Sequence, residues 1–166
     1  MKYKSLKVDI KTPLEKQLKK LGVVNYLDLS QFAHSHQENE IFDVEDGSEM
    51  LGKSPNECME KFFKSDRRGL TIYEGLALLR KNPKVFGSHF IDLCGSRRGG
   101  GDVAHWWLSG GRPELGWSWA SGSGAEWGSA SCGSSLKLEP RNLETLESRV
   151  LKLEKFAEKV EKVLKI

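Results

Sequence analysis

The segment between Gly95 and Gly133 restricts the fold of this chain more than any other. It contains all five tryptophans and eleven of the seventeen glycines. Large aromatic side chains need a buried environment, and flexible Gly/Ser linkers do not carry them. Glycine permits sharp turns and close approaches of the backbone. The segment therefore predicts a compact, turn-rich β region over residues 95–133, which is also where we expect a functional site.

Two strands are predicted inside this region, at residues 103–108 and 115–120. The six residues between them contain the glycine and proline of a hairpin loop. Because side chains alternate along a strand, Trp117 and Trp119 are expected on one face and Ser118 on the other. Burial in the core is the simpler interpretation of these tryptophans. A platform that stacks on a sugar or a base is the alternative.

Three short helices are predicted by capping motifs. In each, a Ser or Thr is followed three residues later by Glu, as in a capping box; the motifs are Thr12-Pro13-Leu14-Glu15, Ser54-Pro55-Asn56-Glu57 and Thr71-Ile72-Tyr73-Glu74. Gly22 is expected to end the first helix and Pro83 to limit the third. A short strand is predicted at residues 41–44. Residues 23–29 form a short strand or the link into one, and residues 85–93 form a strand or a strand-like segment. The fold class is therefore α+β, with a compact body of short helices and a small antiparallel sheet.

Residues 142–166 form an amphipathic pattern of a different kind. Apolar residues are spaced alternately by three and four positions over three heptads, at Leu143, Leu146, Val150, Leu153, Ala157, Val160 and Leu164. This spacing predicts a long coiled-coil-like helix that forms a homodimer or binds a partner protein. Packing of the helix on its own domain is the alternative. The expected domains are a body at 1–135, a linker at 136–141 and this helix.

Composition and charge exclude several classes of protein. No window approaches the roughly 18 apolar residues of a membrane-spanning helix, and the first residues lack the apolar core of a secretion signal. Three cysteines are too few for a disulfide framework, so a cytoplasmic location is expected. Neither the net charge of +3 nor any motif indicates a nucleic-acid-binding protein, although the chain contains two Arg-Arg pairs.

The middle of the chain resembles a family of small bacterial proteins known only as a domain of unknown function. An ordered series of short motifs over roughly residues 38–135 carries the resemblance: Asp43-Val44-Glu45-Asp46-Gly47, Gly52-Lys53-Ser54-Pro55, Arg67-Arg68-Gly69-Leu70-Thr71 with Glu74-Gly75, Ile91-Asp92-Leu93, Gly95-Ser96-Arg97, Gly111-Arg112-Pro113-Glu114-Leu115 and Gly128-Ser129-Ala130-Ser131-Cys132-Gly133. The resemblance implies a shared fold and a site near the Gly-Ser-Arg and Ser-Cys-Gly segments. It implies no known activity.

The candidate site residues are a thiol, an imidazole, two arginines and a tryptophan. Cys132 with His105 as its base would form a nucleophilic pair, whereas a buried Cys132 under a tight turn is the structural interpretation. Arg97 and Arg112, with Trp117, are the candidate ligand-binding residues, because the arginine fork matches a carboxylate or a phosphate. No cofactor is predicted. No metal site is predicted either, since the histidines and cysteines lack the spacing of a zinc site.

These observations favour a non-catalytic protein that binds a ligand or a partner and oligomerises through its C-terminal helix. The ligand class is a small anion. The alternative is a thiol-dependent enzyme that uses Cys132 and His105. The two hypotheses differ in whether Cys132 is exposed and next to a base.

Overall fold

Two β-sheets and three α-helices make up residues 1–134, the part of the chain that the computed structural model describes. The helices are α1 (Leu14–Lys20), α2 (Pro55–Lys64) and α3 (Ile72–Lys81). The strands are β1 (Lys2–Lys7), β2 (Val24–Asn25), β3 (Phe32–His34), β4 (Glu40–Glu45), β5 (Arg67–Gly69), β6 (Phe90–Arg98), β7 (Val103–Ser109), β8 (Arg112–Ser118), β9 (Trp127–Ser129) and β10 (Ser131–Gly133).

The two sheets differ in size and in strand direction. The smaller sheet has the order β1-β4-β10-β5 and is antiparallel throughout. The larger sheet has the order β2-β8-β7-β6-β3, and β9 pairs with the first residues of β6. Here β2 is parallel to β8 and β9 is parallel to β6. The α+β class is confirmed, whereas the single antiparallel sheet of the prediction is replaced by one antiparallel and one mixed sheet.

The segment from β9 to β10 joins the two sheets. Ser129 is the register partner of Asp92 in the larger sheet, and Ser131 is the partner of Gly69 in the smaller one. Between them, the amide of Ala130 donates to the carbonyl of Asp92, and the carbonyl of Ala130 accepts from the amide of Leu70. This crossing brings the ends of β5, β6 and β10 together.

Two of the three predicted capping boxes are confirmed. Ser54 caps α2 and Thr71 caps α3, each with the reciprocal bond from the third helical residue. The box at α1 is wrong, because Pro13 occupies the N-cap position and makes no side-chain cap bond. The carboxylate of Asp9 instead accepts from the amide of Thr12 at 2.9 Å. Gly22 has φ of +67°, the left-handed conformation expected at the end of α1.

The hairpin between β7 and β8 is tighter than predicted. Its turn consists of Gly110 and Gly111, both at positive φ, as a two-residue hairpin turn requires. The strand β8 therefore begins at Arg112, three residues earlier than expected. Ser118 is buried, while Trp117 is 38% exposed and Trp119 is 61% exposed. Burial in the core is thus wrong for these two tryptophans.

The strand predicted at residues 85–93 is wrong in its first half. Residues 83–87 form a 3₁₀ turn, and β6 begins only at Phe90. Proline at the start of this turn and the polar Ser88-His89 step interrupt the apolar run that suggested a strand. Five strands have no counterpart in the prediction: β1, β3, β5, β9 and β10. Four of them, all except β1, are only three residues long, which is too short for a periodic pattern.

The main core lies between one face of the larger sheet and α3. Trp106, on β7, is fully buried and contacts Phe86 edge-on at 5.4 Å between ring centroids. Gly75 lets α3 approach the sheet, since a Cβ atom there would lie 2.8 Å from the side chain of Leu93. The prediction that the tryptophan-rich segment is part of the folded body is therefore correct for Trp106.

The predicted linker at 136–141 and the C-terminal helix at 142–166 lie outside the described residues. Residues 1–134 coincide with one of the two units into which contacts divide the chain. None of the helices in this unit is long and apolar enough to cross a membrane.

Candidate ligand-binding site

A cavity of about 330 Å³ lies between β3, β5, β6 and α2. Its lining includes two arginines, Arg68 and Arg97, and two histidines, His34 and His36. Met59 of α2 and Cys94 of β6 also line it. We call it the arginine cavity. It lies where the Arg-Arg-Gly and Gly-Ser-Arg motifs of the family resemblance meet.

Two glycines allow the strands to meet at this cavity. The amide of Gly95 donates to the carbonyl of Leu70 at 2.9 Å, which brings β6 against the end of β5. A Cβ atom at Gly69 would lie 2.6 Å from Cβ of Cys94, and one at Gly95 would lie 2.7 Å from the carbonyl oxygen of Gly69. No other residue type fits there without displacement of the backbone.

Arg68 forms the β5 side of the cavity, and its terminal nitrogens are paired with two acids. Its terminal nitrogens donate to both carboxylate oxygens of Glu74 at 2.9 and 2.7 Å, and one of them also donates to Glu38 at 3.1 Å. Burial alone would lower the pKa of Arg68, but the bond to Glu74 and the charge of Glu74 outweigh burial and raise it. Arg68 and Glu74 are 6% and 1% exposed, so this is a buried ion pair.

Arg97 forms the β6 side of the cavity and has no acidic partner among residues 1–134. Its Nε donates to the carbonyl of Cys94 at 3.2 Å, which anchors the base of the guanidinium. Its two terminal nitrogens make no hydrogen bond within the described part of the chain. The side chain is half-buried. By contrast, Arg67 pairs with Asp43 and Arg98 pairs with Asp102.

His34 enters the cavity from β3 in a defined orientation. Its Nδ1 lies 2.7 Å from the hydroxyl of Ser96, and that hydroxyl accepts from the amide of Ile72 at 2.8 Å. The Ser96 hydroxyl therefore holds the His34 ring in place through Nδ1. Burial lowers the pKa of His34, although the charge of Glu74 acts in the opposite direction. His34 is neutral at pH 7 on this account.

Cys132 lies beside this region but is fully buried. It is the register partner of Arg68 across β10 and β5. Burial raises the pKa of the Cys132 thiol to about 12, and the nearby Arg68 only partly offsets this. Cys58 and Cys94 are also free and buried. The thiol of Cys132 is thus protonated at neutral pH.

His105 lies on the larger sheet and is engaged with other residues. Its Nδ1 donates to Oδ1 of Asp92 at 2.8 Å, and the hydroxyl of Ser118 donates to the same oxygen at 2.6 Å. Three aromatic rings surround the imidazole, with centroids within 6 Å: Phe90, Trp107 and Trp127. No contact between His105 and Cys132 is present in residues 1–134.

The two remaining candidates lie away from the arginine cavity. Arg112 is exposed at the first position of β8, next to the hairpin turn. Val103 pairs with Arg97 and Ser109 pairs with Arg112, so the two arginines are separated by six residues of β7, about 20 Å. Trp117 lies under the guanidinium of Arg98, 4.4 Å from its ring centroid. The structure therefore brings Arg97 and Cys132 to the region of Arg68, and not His105, Arg112 or Trp117.

Sequence reasoning did not identify three of the residues that shape the cavity. Arg68 and His34 lie on three-residue strands, which are too short for a periodic signal. Glu74 is recognisable only as the third residue of a capping box. The pattern His34-x-His36 is typical of a surface loop or of two imidazoles on one side of a strand. The strand β3 ends at His34, and both histidines line the cavity.

Among residues 1–134, no three His, Cys, Asp or Glu side chains are arranged to hold a metal ion. Comparison with known proteins gives no match to a curated protein and none to a solved structure. A family model of unknown function, DUF5701, matches residues 15–138, which is most of the chain. The resemblance to an uncharacterised family is thereby confirmed, and the chain belongs to the DUF5701 family of unknown function.

Proposed function

We propose that this protein binds a small anionic ligand, which Arg97 holds in the arginine cavity. The observation that carries the proposal is the state of Arg97: a half-buried guanidinium, anchored through Nε and lining a cavity, with both terminal nitrogens unengaged by residues 1–134. A guanidinium presents two parallel N–H groups that match a carboxylate or a phosphate.

The other groups in the cavity complete a recognition site. The neutral His34 supplies a further donor or acceptor at Nε2, which has no hydrogen bond within residues 1–134. Arg68 is paired with two carboxylates, Glu74 and Glu38, so it shapes the wall and adds no free positive charge. Pockets that bind small molecules have this composition, with mostly apolar walls and a few placed polar groups.

The thiol-enzyme alternative receives no support from these contacts. A nucleophilic cysteine needs an exposed thiolate next to a base, and Cys132 is buried with a raised pKa. Oligomerisation through residues 142–166 and a cytoplasmic location remain part of the proposal. Light scattering of the full chain and of a chain that ends at Leu138 tests the first of these, because only the full chain should dimerise.

Thermal unfolding in the presence of anions tests the binding proposal. The probes are inorganic phosphate, phenyl phosphate, acetate and benzoate, each at constant ionic strength. A ligand that binds only the folded state raises the unfolding midpoint with its concentration. We expect at least one of these probes to do so for the wild type and for Arg112→Ala, but not for Arg97→Ala.

Arg112→Ala is the matched control, because it removes the same charge from an exposed position outside the cavity. If it abolishes the stabilisation as fully as Arg97→Ala does, the effect is one of net charge and the proposal is wrong. The proposal is also wrong if none of the four probes stabilises the wild type.

A further inference from the structure

We infer that the ligand of the arginine cavity is a monoanionic carboxylic acid with an apolar body, rather than a phosphate. The inference rests on the proposed function and specifies its ligand. Three properties of the cavity support it: its charge balance, the shape of its free donor pair and the nature of its walls.

The charge balance disfavours a dianion. The cavity holds two guanidinium groups, Arg68 and Arg97, and Arg68 is bonded to two carboxylates, Glu38 and Glu74. Burial favours the neutral form of the His34 imidazole, which then adds no full charge. A second negative charge on the ligand would therefore have no further cation in the cavity to pair with among residues 1–134. An unpaired charge in a partly desolvated site is costly.

The donor geometry fits a planar, two-oxygen acceptor. Nε of Arg97 is already bonded to the carbonyl of Cys94, so only the two terminal nitrogens face a ligand. Two parallel N–H groups satisfy both oxygens of a carboxylate. A phosphate monoester has three terminal oxygens, so Arg97 would satisfy only two of them and the third would depend on His34.

The walls supply an apolar environment for the rest of the molecule. Met59 of α2 and Ala33 of β3 line the cavity, together with Cys94 and the glycines Gly69 and Gly95. A volume of about 330 Å³ equals that of about eleven water molecules in the liquid. It accommodates a short aliphatic chain or a single ring in addition to a carboxylate.

Calorimetric titration with a homologous series tests the inference. The probes are acetate, butanoate, hexanoate and benzoate, with methyl phosphate and phenyl phosphate as their phosphate counterparts. We expect the affinity of the wild type to rise by about fourfold for each methylene that enters the cavity. Benzoate should bind more tightly than phenyl phosphate, and Arg97→Gln should abolish binding of every probe.

Met59→Gln provides the matched test of the apolar wall, because it keeps the length of the side chain and makes its end polar. It should weaken hexanoate by about tenfold and leave acetate unchanged. Circular dichroism and the unfolding midpoint show whether each variant remains folded. If Met59→Gln unfolds the protein, the apolar wall is tested by the wild type alone, whose affinity should rise from acetate to hexanoate.

The possible failures are distinguishable. The carboxylate inference is overturned if methyl phosphate binds more tightly than acetate and phenyl phosphate more tightly than benzoate. It is also overturned if the affinity does not change with the length of the carboxylate chain. Either result leaves an anion site at Arg97. Absence of binding by all six probes, or binding that persists in Arg97→Gln, overturns both the inference and the proposed function.

Discussion

Two walls of the same cavity hold arginines with opposite roles. On the β5 wall, Arg68 is 6% exposed and bonded to two carboxylates. On the β6 wall, Arg97 is half-buried, and its one hydrogen bond within residues 1–134 is to a backbone carbonyl. Each belongs to an Arg-Arg pair near a glycine: Arg68 precedes Gly69, and Arg97 follows Gly95 and Ser96. The difference shows that the partners supplied by the fold, and not the local sequence, decide whether an arginine is paired with acids within residues 1–134.

The largest loss of stability that this comparison predicts follows from breaking the buried ion pair of Arg68 and Glu74. Arg68→Ala leaves Glu74 charged and unpaired at 1% exposure. We expect the free energy of unfolding to fall by about 3–5 kcal/mol, the usual result when one partner of a buried pair is removed. Urea unfolding measures it. The double variant Arg68→Met, Glu74→Leu should recover part of the loss, and a loss for Arg68→Ala below about 1 kcal/mol would contradict a structural role.

A smaller loss is expected where the two walls meet. Gly69→Ala places a Cβ atom 2.6 Å from Cβ of Cys94 and 3.1 Å from the amide of Gly95. Overpacking of this kind costs about 1–3 kcal/mol, which thermal or urea unfolding detects. Gly99→Ala is the control, since nothing lies within 4 Å of the new atom there. Equal stability of the two variants would show that the walls are not in close contact.

The pH dependence of stability sharpens the comparison at His34. Its pKa in the folded protein is below the ordinary value of 6.5, mainly because of burial. The unfolded chain therefore binds a proton more readily, and the contribution of His34 is present above pH 6.5 and is lost as the pH falls below it. The wild type should lose more stability between pH 7 and pH 5 than His34→Gln does. Parallel curves for the two proteins would exclude this role of His34.

The smallest expected effect concerns Arg97 itself. Arg97→Ala removes one hydrogen bond to a backbone carbonyl and no ion pair within residues 1–134. Its free energy of unfolding should remain within about 0.5 kcal/mol of the wild type, as for other positions without buried partners. Urea unfolding of Arg97→Ala beside Arg68→Ala makes the comparison direct. A loss for Arg97→Ala as large as that for Arg68→Ala would make Arg97 a structural residue.

Local signals in the sequence predicted the local features of the fold. The capping boxes at Ser54 and Thr71 and the left-handed Gly22 depend on a few adjacent residues, and they are confirmed. The box at Thr12 is wrong because Asp9, outside the motif, binds the amide of Thr12. The sheet could not be predicted in the same way, because three-residue strands have no periodic pattern and their partners are distant in the chain.

In the candidate site, too, local motifs were predictable and contacts between distant segments were not. Arg97 was singled out by the Gly95-Ser96-Arg97 motif, and it lines the cavity. Arg112 lies apart from it because the two-residue turn at Gly110-Gly111 places it at the end of a long hairpin. Arg68 was visible only as one of a basic pair, since its partner Glu74 belongs to another element and looks like an ordinary helix cap. Contacts between elements, which decide the roles of these arginines, are not encoded in any short segment.

Nuclear magnetic resonance of the arginine side chains tests the central claim most directly. Each arginine Nε–H group gives a separate signal, and the signal of Arg97 can be assigned by its absence in Arg97→Lys. During titration of the full chain with benzoate, this signal should shift in a saturable manner while those of Arg68 and Arg112 stay in place. A shift of the Arg112 signal in place of Arg97, or no shift of any arginine signal in response to benzoate, phenyl phosphate or inorganic phosphate, would contradict the account.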